Sequence, residues 1–153
     1  MRCGRPQVEW DTLGAVRAQR LVIRRSTGDD VMAMPRKWFI RNIAEVPWRQ
    51  FPDHFGGALS KPLVMPETAG SQHLDYRISM YQPMAYVKVH QHKVQEQVYH
   101  VLEGEGMMEM DGRRQLVRKH DVIYIPPGVE HSISNSGLVD LVFIVATTPV
   151  EDE

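Results

Sequence analysis

Three histidines stand where two short segments could bring them together: His90 and His92 in AYVKVHQH, and His131 in IPPGVEHSISN. An H-x-H pair on a strand puts both imidazoles on one face, because side chains alternate with period two. On that reading Tyr86, Lys88, His90 and His92 share a face, and Val87 and Val89 take the other. Residues 93–96 then turn the chain, and the run QVYHVLEG sends Gln97, Tyr99 and Val101 back across the same face, so that a fourth group meets the pair. His131 follows a Pro-Gly corner that aims a third imidazole inward from a neighbouring strand. Three neutral imidazoles and one oxygen suit a borderline divalent transition-metal ion, with Zn, Ni, Fe, Mn and Cu all compatible. The H-x-H pair alone carries little weight, since alternation produces it by chance; the whole set carries the argument.

The elements that must position these groups are short and β-rich. From Leu74 onward the chain reads LDYRISMY, AYVKVHQH, QVYHVLEG, GMMEMDG, QLVRKHDVIYI and LVDLVFIVATT, separated by turn residues. Such a series predicts an antiparallel sandwich or barrel. Asp111-Gly112 marks a hairpin, because a type I′ turn needs positive φ at both central residues. Pro126-Pro127-Gly128 supplies a rigid corner just before His131.

These segments resemble the two cupin motifs, G-x5-H-x-H-x3–4-E-x6-G and G-x5-P-x-G-x2-H-x3-N. The first runs from Met84 through His90, His92 and Gln97 to Gly104, the second from His120 through Pro126, Gly128 and His131 to Asn135. The resemblance covers about residues 74–148. It implies an all-β fold, a double-stranded β-helix (jelly-roll) barrel with an N-terminal extension, holding one divalent transition-metal ion on His90, His92, Gln97 and His131. Met84 and His120 depart from the motifs by standing where Gly is usual, at turn positions that affect local backbone rather than ligation. Gln97 departs by standing where the motif has Glu, if four residues separate it from His92 and six lead on to Gly104. Glu96 fits only the shorter spacer and leaves Gly104 one residue late. Strand parity favours Gln97, which shares a face with Tyr99 and Val101, whereas Glu96 falls at the turn or points away. A neutral amide leaves a dication unneutralised, which predicts weaker metal binding and an anionic substrate as a further ligand.

Cupins resembling this chain include dioxygenases, isomerases and lyases. A three-His ion with open positions could bind dioxygen and a small carboxylate or phenolic substrate, or act as a Lewis acid. The competing reading is a binding or storage module without turnover, and no unambiguous acid or base beyond the metal ligands separates the two. Lys88 is directed toward the cavity, where it must pair with an acid or snorkel to the rim. Tyr86, Tyr99 and Phe143 read as packing, and Met107, Met108 and Met110 as barrel core. His54, His73 and His100 stay outside the ligand set.

The rest of the chain sets bounds. Its 153 residues match one domain. A net charge of −1 gives no field to gather phosphate backbones or anionic lipid, so a small-molecule ligand is expected, with neither nucleic acid nor membrane as partner. Arg17, Arg20, Arg24 and Arg25 read as a solvated face. With Cys3 alone, neither an intrachain disulfide nor a thiolate metal cage can form. No leader-like or membrane-spanning apolar run is present, and a cytoplasmic protein is expected. Residues 1–50 form the N-terminal extension, in which Leu13, Val16, Arg17 and Arg20 have roughly helical spacing interrupted by Gly14, giving a tail or a short helix. Within it WFIRNIAEVPW reads as a strand closed by Pro47, pairing at a barrel edge or with a second subunit, from which a homodimer is expected. Residues 51–73, rich in Pro, Gly and Ser, read as a long loop covering the barrel, and 74–148 as the barrel itself.

Overall fold

A computed structural model describes residues 38–153. The expected helix or tail in the first third, the arginine cluster and Cys3 lie outside the described residues. Among these residues ten strands form two five-stranded sheets in which every pairing is antiparallel. The strands are β1 (His54–Phe55), β2 (Ala58–Val64), β3 (Asp75–Tyr81), β4 (Tyr86–Val87), β5 (Glu96–Glu103), β6 (Glu105–Met110), β7 (Arg113–Arg118), β8 (Val122–Ile125), β9 (His131–Ser134) and β10 (Leu141–Thr148). One sheet runs β1-β4-β9-β6-β7 and the other β2-β3-β10-β5-β8, the double-stranded β-helix order.

The core lies between the sheets and follows the alternation. Gln97, Tyr99 and Val101 of β5 are buried while Glu96 and Val98 are exposed. Tyr81, Phe143, Val101, Met108, Ile125, Ile133 and Leu141 are almost wholly enclosed. Burying a side chain of that size contributes roughly 2 kcal/mol, so this cluster dominates the stability of the barrel. The β6–β7 hairpin turns at Asp111 and Gly112 with φ of 47° and 74°, the positive pair the sequence demanded. At Gly104 the backbone crosses β10 so closely, with φ of 76°, that a Cβ there would overlap the Asp140 carbonyl.

Several segments differ from the sequence reading. Residues 51–73 are not one long loop: β2 occupies 58–64 and pairs with β3, and β1 pairs with β4, so the barrel begins well before Leu74. Ser60 and Pro62 point inward from β2, which hid its alternation. WFIRNIAEVPW is not a strand: Ile43–Glu45 is a 3-10 turn closed by a capping box between Asn42 and Glu45, and the stretch meets β2 through Lys61, which donates to the Ile43 carbonyl at 3.0 Å and lies over the Trp48 ring, followed by the Arg49–Ser60 bridge. QLVRKHDVIYI contains two strands, β7 and β8, with a turn at Lys119-His120 between them. Met108 is core, Met110 packs against it, and Met107 faces an outer groove instead. No helix among the described residues is long and apolar enough to cross a membrane.

Candidate metal centre

The strand expected for AYVKVHQH is cut short, and this decides where its side chains go. Only Tyr86 and Val87 pair in a ladder; His90 then bridges to His131, with reciprocal N–H to carbonyl bonds of 3.0 and 2.7 Å. Parity is lost between them. Val87 is buried and lines the cavity with the half-buried His90 and His92, while Tyr86 and Lys88 face outward. The expected inward Lys88 is therefore corrected: it lies on the outer face, 3.0 Å from Asp53, and does not enter the cavity with the histidines.

The histidines themselves converge. One ring nitrogen from each of His90, His92 and His131 lies within 4.8 Å of the others, and His131 is fully buried. The loops that carry them are tied together, since the Gly128 amide donates to the His92 carbonyl at 2.7 Å. In each ring Nδ1 is engaged by an acceptor: the Lys88 carbonyl at 2.8 Å for His90, the Val129 carbonyl at 2.9 Å for His131 and the Asp152 carboxylate at 3.3 Å for His92. A carbonyl only accepts, so Nδ1 of His90 and His131 carries the proton and Nε2 keeps its lone pair. Burial holds His131 well below the ordinary histidine value, at about 4, and lowers His90 as well, with the neighbouring imidazoles adding to the effect. Both rings are neutral at pH 7.

Gln97 completes the constellation. Its Oε1 lies 3.1 Å from His131 Nε2, accepts from the Tyr99 hydroxyl at 3.1 Å, and its amide donates to Thr147 Oγ1 at 3.2 Å. Burial pushes the Tyr99 phenol far above its ordinary value, so it remains a donor. Oε1 and the neutral His131 Nε2 are both acceptors, facing each other with no proton between them. His92 Nε2 is buried without a hydrogen-bond partner. Lone pairs stranded in this way are costly unless a cation takes them, and three imidazole nitrogens with one amide oxygen fit a borderline divalent ion. Glu96 is exposed and takes no part.

A cavity of about 180 Å³ opens on the histidines, and it also receives His54, Tyr81 and the Asp75–Arg77 ion pair. His54 is lowered by burial and gives Nδ1–H to the Pro52 carbonyl; it lines the cavity outside the triad. His73 is exposed, and His100 lies on the opposite side of β5 from Gln97. The sequence reading treated Tyr99 as packing. It does pack on Phe143, at 5.3 Å between ring centroids, but its hydroxyl also orients Gln97. Its shared parity with Gln97 was the available signal. Thr147, Arg77 and Asp152 carried no signal, because only folding brings them to the site.

Residues 77–147 match the family model for the cupin domain. The chain carries a cupin domain. Over 61 residues the chain is 41% identical to an uncharacterized protein of Methanocaldococcus jannaschii, covering 40% of this chain and 49% of that one. Over 62 residues it is 34% identical to an oxalate-binding protein of Thermotoga maritima, covering 40% and 51%. The chain thus spans about half the length of the curated relatives it matches. Among solved structures, a predicted oxalate decarboxylase of Thermotoga maritima superposes with a TM-score of 0.66 at 22% identity, covering 72% of this chain and 99% of that one. That likeness shows the fold alone, the double-stranded β-helix.

Proposed function

We propose that the barrel holds one divalent transition-metal ion on His90, His92, His131 and the Gln97 amide oxygen, and that it binds and transforms a small organic anion there. The observation that carries this reading is the convergence of three ring nitrogens, His92 Nε2 among them without a partner, beside a buried amide oxygen that faces an unprotonated Nε2. When bound, such an ion supplies a Lewis acid or, if redox-active, a site for dioxygen chemistry. All four proposed ligands are neutral, so the ion's charge is left for the substrate to balance, which favours a carboxylate or a phenolate. The cavity admits only a small molecule, well below the several hundred Å³ of sites for drug-sized ligands. A relative named as oxalate-binding points to the same class of small carboxylate.

The chain's own residues have definable parts. Tyr99 and Thr147 fix the amide of Gln97 with its oxygen toward His131. Arg77, paired with Asp75 and stacked on Phe51 at 4.2 Å, adds a polar group to the cavity wall beside Val145 on the neighbouring strand. His54, neutral at pH 7, can accept a proton inside the cavity.

A binding or storage role is the second reading, favoured by one feature: the single carboxylate lining the cavity among the described residues, Asp75, is already engaged by Arg77. Metal analysis of the purified protein should give close to one transition-metal ion per chain, and His92→Ala should lose it while keeping the fold. Retained full occupancy in that variant removes His92 from the ligand set. Aerobic and anaerobic screening of carboxylates, oxalate included, and of phenols then assigns the chemistry. Oxygen uptake dependent on Fe(II) or Cu(II) selects a dioxygenase, turnover without oxygen selects a lyase or isomerase, and saturable binding without turnover selects the second reading.

A further inference from the structure

The three imidazoles are not held alike. His90 and His131 give Nδ1–H to main-chain carbonyls two residues back in their own loops, and no side-chain substitution can remove those acceptors. His92 instead meets the Asp152 carboxylate, which arrives from sixty residues further along the chain. The other oxygen of that carboxylate accepts the amide N–H of Val94 at 2.9 Å and of Gln95 at 3.3 Å, and the Gln95 side chain donates back to the Val150 carbonyl at 3.0 Å. The segment after β10 is therefore latched onto the turn between His92 and β5, and Val150 forms part of the cavity wall.

We infer that Asp152 is a positioning residue for the site: it fixes His92 in the tautomer whose Nε2 lone pair enters the cavity, and it supplies, one hydrogen bond behind the imidazole, the negative charge that Gln97 lacks. The first half stands on geometry alone, because a carboxylate accepts only and so places the proton on Nδ1 while Nε2 is left buried without a partner. The second half rests on the proposed metal reading. A carboxylate that takes the far N–H of a ligating imidazole raises the donor strength of the near nitrogen and offsets part of the cation's charge.

The two halves have separate measurements. In the metal-free protein, ring nitrogen chemical shifts should place the proton of His92 on Nδ1, and Asp152→Ala should move a substantial fraction to Nε2, while Glu151→Ala, an exposed neighbour, changes nothing. An unchanged His92 tautomer in Asp152→Ala overturns the positioning role, and this holds even if the wild type binds no metal at all. For the charge, the dissociation constant of Zn(II) is measured by competition with a chelator. Asp152→Ala should weaken it about 10- to 100-fold. Asp152→Asn removes the charge and leaves one acceptor oxygen, which can serve His92 or the Val94 and Gln95 amides but not both; it should lose affinity as well, and Gln97→Glu should recover more affinity in that background than it adds to the wild type. Equal effects of Gln97→Glu in both backgrounds overturn the charge role. Unaltered Zn(II) affinity in Asp152→Ala overturns it too.

Discussion

At Gln97 an amide occupies a position where a carboxylate would neutralise half of a dication. The surroundings tolerate the exchange: Tyr99 still donates to the remaining oxygen, and the Thr147 hydroxyl can reverse to donate in turn. Gln97→Glu should therefore tighten Zn(II) binding by at least about tenfold, roughly 1.4 kcal/mol, by direct charge attraction. Gln97→Ala should weaken binding, and Glu96→Gln, on an exposed side chain, should leave it unaltered. The reverse pattern in measured dissociation constants would assign the ligand to Glu96. His131 adds a pH dependence to the metal-free protein. Its pKa is about 4 in the fold against 6.5 for the ordinary group, so between those values the unfolded chain binds more protons. Stability from this neutral ring is complete above pH 6.5 and is lost as pH falls toward 4, by roughly 3 kcal/mol. His90 is displaced in the same direction. Urea midpoints of chelator-treated protein at pH 7.5 and 4.5 measure it, and equal midpoints would contradict the buried neutral state.

Turns carry the next scale. Met84 and His120 stand where the cupin motifs have Gly, and both adopt the left-handed conformation that favours Gly, with φ of 72° and 77°. A side chain there costs about 1–2 kcal/mol against glycine, partly offset by glycine's larger entropy loss on folding. Met84→Gly should accordingly stabilise the protein by up to about 1 kcal/mol, since the side chain is exposed and the amide bond to the Asn135 carbonyl survives. A lowered denaturation midpoint would show that the Met84 side chain is needed. The same level explains what the sequence revealed. Gln97, Tyr99 and Val101 followed strict alternation because β5 is paired with β10 over nearly its whole length and with β8 from Gln97 to His100. Alternation failed from Lys88 onward because pairing there dwindles to single bridges, and an unpaired chain is free to rotate its side chains. The histidines were still found, because the motif spacing reports the three-dimensional arrangement and not the strand. β2 was missed because Ser60 and Pro62 occupy inward positions that apolar residues usually fill. Asp152 was beyond reach, as nothing local ties it to His92.

Across the molecule the two sheets differ on their outer faces. Tyr76, Ile78 and Met80 of β3 stand beside Ala146, Ile144 and Val142 of β10, and the row continues through Val98 of β5 to Tyr124 of β8. Lys61, His100 and the exposed Glu103 interrupt it, where they pair with Ile78, Ile144 and Val142. Five strands about 4.8 Å apart and three rows of side chains give a projected area on the order of 500 Å², approaching the roughly 800 Å² of corrugated surface each partner buries in a stable complex. This face, rather than the expected strand at 38–48, is where a second copy is predicted to pack. Light scattering at micromolar concentration should return the mass of a dimer, and Ile144→Lys, at the centre of the face, should return that of a monomer; a wild-type monomer would contradict the prediction. The strand order has a further consequence. β10 lies between β3 and β5, so a chain still being synthesised has a gap in the middle of this sheet until residues 141–148 leave the ribosome. Asp152 comes later still. The barrel therefore cannot close one piece at a time from its N-terminus, and its histidines meet only after translation has passed them all.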